Sequence, residues 1–305
     1  MGNSNIKESK RWLGVLLVAL ACVCWGSYGI YVKKLSQIGF SNFDTIEIKS
    51  AIAAVFCGLY ILFTNPKLFR IKLKDIWCFL GAAVLNMMLN GICYAACIIR
   101  SSMGFASILC NTGPMWALVL SCIIFKEKFT VKKLIAVILT FTGCVLATDL
   151  SGTTNVTAAA VILGLLAGLG WSMFSVFSRF ALNKGYSSMT ITFYSVALCT
   201  VICSFFTDWN KVITAAAVPS NLVWMIMIGL VTGFIGYVVY TSGLKYIETG
   251  VASILCALEP TMAIIYGVLL FNEKLTASIV CGMALIFSGI VLVNVKAKKA
   301  NEADK

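Results

Sequence analysis

Histidine is absent from the 305 residues, and charged residues make up only 12% of them. Without histidine the chain lacks the commonest metal ligand and the commonest general base. It also lacks a GxxxxGK[ST] phosphate-binding loop, so it encodes no ATP-driven machinery. No CxxC pair occurs among the 13 cysteines. These absences argue against an enzyme and predict no metal site and no cofactor.

The few charges contrast with abundant apolar residues: 60% are hydrophobic, and the mean hydropathy is +0.95. A soluble domain carries about 25% charged residues, so the composition indicates an integral membrane protein. The net charge of +12 comes from Lys and Arg in short connectors, which excludes nucleic acid as a partner. The cysteines lie within apolar runs and are expected to be reduced thiols that pack as small hydrophobic residues. A disulfide or a metal site is the alternative.

Ten apolar runs are long enough to be transmembrane helices, since about 20 such residues span a bilayer. The first follows a polar tail, residues 1–11, and is too long for the apolar core of a signal peptide. Helices rather than barrel strands are expected, because backbone groups in lipid must be satisfied within the segment. The predicted spans are 12–32, 45–63, 76–98, 103–125, 134–148, 158–178, 187–206, 221–243, 250–271 and 276–295.

Lys and Arg are unevenly divided between the two sets of connectors that these spans define. Connectors after odd-numbered spans carry five Lys and Arg residues, whereas the tails and the other connectors carry 18. Basic residues are retained preferentially on the cytoplasmic side of a membrane. The count predicts a multi-pass protein of the cell membrane, plasma or inner, with both termini in the cytoplasm.

One stretch of 25 residues occurs twice, because residues 104–128 align with residues 250–274 at a shift of 146 positions. The same shift pairs Trp25 with Trp171 and Tyr94 with Tyr240. Internal repeats of this kind indicate a duplicated unit. The residues of the first copy that recur in the second are Gly104, Ala106, Ser107, Ile108, Leu109, Cys110, Pro114, Ala117, Phe125, Glu127 and Lys128.

Each copy of the repeat covers five predicted spans, the first within residues 1–148 and the second within residues 149–305. Because five is odd, the second copy enters the membrane in the opposite orientation. The predicted fold class is therefore an all-α integral membrane protein with about ten transmembrane helices, built as two inverted five-helix repeats. Many secondary transporters have this architecture, with the substrate site near the midplane between the halves.

The chain resembles the drug/metabolite transporter superfamily, in its EamA-type ten-helix branch. The resemblance rests on Trp25-Gly26, on the GxASILCxxxP…FxEK pattern of the fourth and ninth spans and on Glu259-Pro260, and it covers about residues 12–295. It implies the fold and a transport function but no particular substrate, because relatives are similar to exporters of amino acids, metabolites and drugs and to some importers. The second span of such proteins often begins with a proline and carries an arginine, where this chain has Asp44 and Lys49.

Glu259 lies about ten residues into the ninth span, near the middle of the bilayer. An ionised carboxylate there costs at least about 2.5–3.5 kcal/mol, so such residues face protein or water and often mark an ion or proton path. We expect Glu259 to be the proton- or cation-coupling residue. The alternative is a protonated acid that is bonded to a neighbouring helix. No buried Lys, Arg or His is expected at a matching depth. Lys49 and Glu47 lie near the outer end of the second span, and Lys49 can extend its ammonium group to the membrane interface. A role of Lys49 in attracting an anionic substrate is the alternative.

Amides and phenols on the third and eighth spans are candidates for lining a substrate cavity. Asn86, Asn90 and Tyr94 recur every four residues and so share one helical face. Tyr237 and Tyr240 occupy the equivalent stretch of the second repeat. Such groups orient a polar substrate in an apolar cavity. The alternative is interhelical hydrogen bonding with a purely structural role.

Trp25 and Trp171 are symmetry mates on the first and sixth spans, and their rings are expected to bound the same cavity and to stack on a cation or a ring. Ser175, near Trp171, and Asn111, on the fourth span, complete the candidate lining residues. Ordinary packing is the alternative for the tryptophans. For the serine, the alternative is a hydrogen bond to its own helix backbone.

Pro114 and Pro260 occupy matching positions in the two copies of the repeated stretch. Each removes one helical hydrogen bond and is expected to kink its helix, which frees a carbonyl group. The Glu-Lys pairs that follow, residues 127–128 and 273–274, lie at opposite membrane faces, either as solvated pairs or as gates.

The predicted function is secondary transport of a small organic solute, namely an amino acid, a metabolite or a drug-like compound, by alternating access. Proton coupling and export are favoured. The alternatives are a passive facilitator or channel and an uptake carrier for a polar metabolite. The expected partners are the small-molecule substrate, the lipid bilayer and, as an option, a second copy of the chain in a homodimer.

Overall fold

The computed structural model describes residues 2–100, 109–127, 129–147, 157–271 and 276–294. Every regular element in these ranges is helical, which confirms the predicted all-α class. Six helical segments are long and apolar enough to cross a bilayer, and Gly113–Phe125 and Val280–Leu292 are shorter apolar helices. The six are Lys10–Ile38, Asn42–Thr64, Leu73–Tyr94, Ala158–Asn183, Ser188–Phe206 and Pro219–Gly243.

The first repeat contains seven of the α-helices that the structure describes. They are α1 (Gly2–Gly26), α2 (Tyr28–Ile38), α3 (Asn42–Thr64), α4 (Ile76–Gly81), α5 (Gly91–Arg100), α6 (Gly113–Phe125) and α7 (Val131–Ala147). The second repeat contains α8 (Ala158–Asn183), α9 (Ser188–Cys203), α10 (Trp209–Ala216), α11 (Pro219–Met227), α12 (Gly236–Gly243), α13 (Thr249–Leu255), α14 (Leu258–Phe271) and α15 (Ala277–Asn294). Short 3₁₀ turns lie at Pro66–Phe69, Leu73–Asp75 and Ser204–Phe206.

The third and eighth predicted spans are helical but contain wider, π-helical turns in their middles. π1 (Ala82–Asn90) joins α4 to α5, and π2 (Ile228–Ile235) joins α11 to α12. The two segments begin at positions 146 residues apart, so the same irregularity occurs in both repeats. π-Helical segments are rare and frequently mark functional sites. A mostly apolar sequence gives no signal for them, because its hydrophobic pattern suits either kind of helix.

The fourth and ninth predicted spans contain turns near the prolines. The chain turns at residues 111–112 before α6 and at residues 256–257 between α13 and α14. Pro114 lies in the first turn of α6, where a missing N–H removes no helical bond. Pro260 lies in the first turn of α14, with its side chain outside the described residues. Residues 101–108, the start of the predicted fourth span, also lie outside them.

The two repeats are interleaved rather than placed side by side. In the contacts between them, α1 packs against α12 and α14, α3 against α9 and π2, α8 against π1 and α6, and α7 against α15. The symmetry mates Gly143 and Gly289 allow the last pair to approach closely. A Cβ on Gly143 would lie 2.6 Å from the Gly282 carbonyl oxygen, and one on Gly289 would lie 2.7 Å from the Ala136 carbonyl oxygen.

The bundle has two ends, which the alternating direction of the spans defines. The terminus face, where α1 begins, holds the connectors at residues 65–75, 126–130, 184–187 and 244–248. The opposite face holds residues 39–41 and 204–218. There the Ser41 hydroxyl and the Asp44 carboxylate form a capping box at the start of α3. The Asp208 N–H also donates to Asp44, at 3.1 Å, and so joins this end of α3 to the start of α10.

Candidate functional site

Four aromatic rings from both repeats meet inside the bundle and form what we call the aromatic cluster: Trp25 of α1, Phe174 of α8, and Tyr237 and Tyr240 of α12. The Trp25 centroid lies 5.2 Å from each of the two tyrosine centroids. The Phe174 centroid lies 4.7 Å from that of Tyr237, edge to face. Edge-on and tilted pairs at such distances are favourable. Three of the predicted cavity residues therefore lie together, with Phe174 as an additional member.

The Trp25 indole is held by the irregular backbone of π2. Its Nε1–H donates to the Thr232 carbonyl oxygen at 3.0 Å. The helix leaves room for the ring at Gly236, since a Cβ there would lie 2.5 Å from Trp25 Nε1. The hydrogen bond thus depends on a π-helix in one repeat and on a tryptophan in the other.

Two polar side chains from the predicted set bind the tyrosines of the aromatic cluster. The Ser175 hydroxyl and the Tyr240 hydroxyl are 2.5 Å apart. The Asn86 amide donates to the Tyr237 hydroxyl at 3.4 Å. All four side chains are at least nine-tenths buried. These contacts fix the orientation of both phenol groups and bring Asn86 of the first repeat to the cluster.

Lys49 of α3 points into the bundle, and the prediction that it extends to the membrane interface is wrong. Its Nζ lies 5.1 Å from the Tyr28 ring centroid and 5.7 Å from the Tyr237 ring centroid. Such contacts stabilise an ammonium group that has lost water. Lys49 lies seven residues after Asn42, the first residue of α3, or about 10 Å along the helix axis.

Glu259 stands in the first turn of α14, and its backbone N–H donates to the Cys256 carbonyl oxygen at 2.9 Å across the turn. Its carboxyl group interacts electrostatically with Lys49, and the Tyr28 hydroxyl interacts electrostatically with both groups. No ion pair joins Lys49 to Glu259 in the described part of the chain. The sequence predicted no such partner for Glu259. The two residues are far apart in sequence, and only the packing of the repeats brings them near each other.

The other predicted amides lie nearer to α8 and α6. Asn90 Nδ2 donates to the Ala167 carbonyl oxygen of α8 at 2.8 Å and lies 3.4 Å from Cys110 Sγ. This bond ties π1 to α8, as the structural alternative for this residue proposes. Asn111 is half-buried in the turn that precedes α6.

The two remaining aromatic candidates also pack near α8. Trp171 packs over Gly113, at the start of α6. Tyr94 packs against Cys97 and Ala160 in a separate apolar cluster. The predicted residues therefore divide into one group at the aromatic cluster and a second group around α8 and the start of α6.

An ionic cluster closes part of the terminus face. The Glu127 carboxylate accepts the Thr249 backbone N–H at 3.0 Å, at the start of α13. Lys133 Nζ lies 2.5 Å from the Glu248 carboxylate and 3.8 Å from that of Glu127. Arg179, at the end of α8, donates to the Thr249 hydroxyl at 2.9 Å. The predicted pairing partners at 128, 273 and 274 lie outside the described residues.

Sequence reasoning assigned no functional role to Tyr28, Phe174 or Glu47. Aromatic residues carry little signal in an apolar chain, so Tyr28 and Phe174 could not be distinguished from packing residues. Glu47 did offer a signal, since it is an acid within a run that is otherwise mostly apolar. It is fully buried, with 1% of its surface exposed.

The comparisons with known proteins agree with this architecture. The EamA-like transporter family matches the chain twice, over residues 12–148 and 158–295. An uncharacterized transporter of Archaeoglobus fulgidus is 27% identical over 280 residues, which cover 92% of this chain and 95% of that protein. The uncharacterized transporter YxxF of Bacillus subtilis is 21% identical over 302 residues, with coverage of 97% and 94%.

A crystal structure of a protein with 14% sequence identity aligns with this chain with a TM-score of 0.74. The alignment covers 92% of this chain and 96% of that protein chain. At that identity the likeness shows the fold alone. The two family matches, one over each half of the chain, agree with the duplicated unit. The chain belongs to the EamA-like transporter family and is a multi-pass membrane transporter.

Proposed function

We propose that this transporter is a proton-coupled secondary carrier that exports a small organic solute by alternating access. The observation that carries the proposal is an acid and a lysine that interact inside the bundle, with the Lys49 ammonium group 5.7 Å from the Tyr237 ring of the aromatic cluster. Lys49 comes from the first repeat and Glu259 from the second, and they interact electrostatically inside the bundle. Substrate sites of carriers with inverted repeats lie between the halves.

The chemistry of the site suits a solute that has both charges and an apolar or aromatic body. Lys49 would attract a carboxylate, and Glu259 would attract an ammonium group. The Trp25 and Tyr237 rings would contact the body of the solute. A zwitterionic amino acid has these features. Its carboxylate would bind Lys49 and its ammonium group would bind Glu259, in place of the interaction between Lys49 and Glu259.

Glu259 is the group that we propose for coupling. Without solute, an ionised Glu259 depends on Lys49 for compensation, and protonation removes that need. A carrier that binds either the solute or the proton needs a group that changes charge between the two states. Export is proposed from the resemblance to families that contain exporters. Cytoplasmic termini are proposed from the 18-to-5 division of Lys and Arg. A C-terminal reporter that is active only outside the cell would contradict that orientation.

The test is transport by the purified protein in proteoliposomes, with a panel of radiolabelled amino acids as probes. We expect Glu259→Gln to retain exchange at equal concentrations and to lose accumulation driven by a proton gradient. Glu8→Gln, in the polar tail ahead of the first predicted span, is the matched control and should behave as the parent. A parent protein that equilibrates the probe but never accumulates it would be a facilitator. Accumulation by Glu259→Gln at the parent level would place coupling elsewhere.

The role of Lys49 is tested separately from that of Glu259. We expect Lys49→Gln to weaken binding of the carboxylate-containing probe about tenfold, since one charge-assisted contact contributes about 1.5 kcal/mol. Lys67→Gln removes an exposed lysine on the terminus face and is the control. Equal probe affinity in Lys49→Gln and the parent would show that Lys49 does not bind the probe.

A further inference from the structure

A second acid, Glu47, lies deep in the protein, outside the site described above. It stands in the second turn of α3, and only 1% of its surface is exposed. Neither Glu47 Oε1 nor Oε2 has a hydrogen-bond partner. Buried carboxyl oxygens without partners are uncommon, because they lose the hydrogen bonds that they make with water. Such a group must be neutral or have a cation nearby that compensates its charge.

Glu47 lies on α3, which packs against α9, and the titratable residues of α9 are Tyr194, Cys199 and Cys203. Cys199 and Cys203 are both buried, with their Sγ atoms 3.8 Å apart. Cys203 is the residue of α9 that interacts electrostatically with Glu47. Neither thiol supplies a positive charge. The surface that covers Glu47 from α9 therefore contains no compensating cation among the described residues.

The other charged side chains of this end of α3, and Lys211 of α10, contact groups other than Glu47. Lys49 points toward the Tyr28 and Tyr237 rings. The Asp44 carboxylate accepts hydrogen bonds from Ser41 and from the Asp208 N–H. Lys211 interacts with Asp44 and donates to the Gly39 carbonyl oxygen. Within the described ranges, no charged side chain thus forms an ion pair or a hydrogen bond with Glu47.

An ionised carboxylate in this position would be unpaired and away from water, which costs several kcal/mol. The least costly form is the neutral acid. We propose that Glu47 is a buried proton-binding site at the α3–α9 interface, which holds a proton in this packed arrangement and releases it when α3 separates from α9. The ligand is the proton itself. Among the residues that the structure describes, no three His, Cys, Asp or Glu side chains are grouped to hold a metal ion.

The position of Glu47 links proton release to the central site. Lys49 is two residues further along the same helix, so a movement of α3 that exposes Glu47 also displaces the Lys49 ammonium group. The inference concerns proton binding to the protein without solute. It therefore stands or fails independently of the function proposed for Glu259.

The first test is infrared spectroscopy of the purified protein without solute, in the region where protonated carboxyl groups absorb. At neutral pH we expect a protonated-carboxyl band that Glu47→Gln loses and that Glu259→Gln retains. The isosteric apolar change Glu47→Met replaces Glu47→Gln if the latter does not fold. A band of parental intensity in the Glu47 variant would overturn the proposal.

The second test is thermal unfolding as a function of pH. The folded state holds a proton that the unfolded chain releases at neutral pH, so stability should fall as pH rises. We expect the unfolding temperature of the parent to decrease more than that of Glu47→Gln as pH rises from about 5, just above the ordinary glutamate pKa, to about 8. The double variant Cys199→Ala/Cys203→Ala should keep the parental slope.

Two outcomes of the second test would overturn the assignment. The first is equal pH dependence in the parent and Glu47→Gln. The second is recovery of stability at high pH with sodium chloride but not with choline chloride. That result would make the ligand a metal cation.

Discussion

The two π-helices occupy the same place in the two repeats but present different chemistry. π1 carries Asn86 and ends at Asn90, whereas the equivalent positions of the second repeat are Thr232 and Gly236. The first segment therefore donates hydrogen bonds through side-chain amides. The second accepts one through the Thr232 backbone carbonyl group and leaves open space at Gly236.

The difference explains why the symmetric tryptophans do not have symmetric environments. Trp25 fits against Gly236, with its indole bonded to π2. At the equivalent place of the first repeat Asn90 binds the α8 backbone, and Trp171 packs over Gly113 instead. Duplication has preserved the backbone irregularity while the side chains have diverged. Only one of the two equivalent places therefore contributes to the aromatic cluster.

Gly236→Ala should have the largest effect on this asymmetry. The new Cβ would lie 2.5 Å from Trp25 Nε1 and 2.9 Å from Trp25 Cδ1, so the ring must move and lose its bond to Thr232. Overpacking of this kind lowers the free energy of unfolding by about 1–3 kcal/mol. Equilibrium unfolding in mixed detergent micelles measures it. Gly29→Ala is the matched control, because nothing lies within 4 Å of a Cβ there.

Trp25→Phe keeps an aromatic ring and removes only the indole N–H. The loss of the bond to the Thr232 carbonyl oxygen should lower the free energy of unfolding by about 1 kcal/mol. Trp171→Phe is the comparison, since the Trp171 indole makes no hydrogen bond within the described part of the chain. Equal losses in the two variants, measured in the same micelles, would show that the difference between the repeats has no energetic consequence.

Asn90→Leu and Asn86→Leu should separate stability from solute binding. Asn90 makes the shorter bond, to the Ala167 carbonyl oxygen at 2.8 Å, and its loss should cost about 0.6 kcal/mol, as is typical of interhelical bonds in membranes. Asn86 binds Tyr237 at 3.4 Å and should matter less for stability and more for probe affinity. Paired measurements of unfolding and probe binding check the split. The opposite pattern would assign the cavity role to Asn90.

The smallest effect is expected on the terminus face, at the ion pair between Lys184 and Asp75. The hydrogen bond to Asp75 raises the pKa of Lys184 above its ordinary value. Stability from this pair is therefore complete below the ordinary lysine pKa and is lost as pH rises through the raised value. The equivalent residues of the other copy, Ile38 and Asn221, form no such pair. We expect the small difference in unfolding temperature between the parent and Lys184→Met to vanish at strongly alkaline pH.

The sequence predicted the helices of this protein better than it predicted which side chains contact one another. Apolar runs and the 146-residue shift were sufficient for the spans and the inverted repeats, because a bilayer requires helices of about 20 apolar residues. Five of the nine residues assigned to one cavity lie near one another, namely Trp25, Tyr237, Tyr240, Asn86 and Ser175. That they line a cavity stays a prediction. The directions of Lys49 and Glu47 could not be predicted. A lysine two turns into a helix can reach the interface or turn inward, and the choice depends on residues far away in the sequence.

The two repeats of the sequence are not two folding units. The faces that α3 and α7 bury belong to π2, α9 and α15, which lie in the other half of the chain. During synthesis the first five spans therefore enter the membrane without the partners that they later bury, and α7 acquires its partner only when α15 is made. A fragment that contained only the first half would expose Glu47 and Lys49 to lipid or water. Two inserted half-chains should consequently associate with each other rather than fold alone.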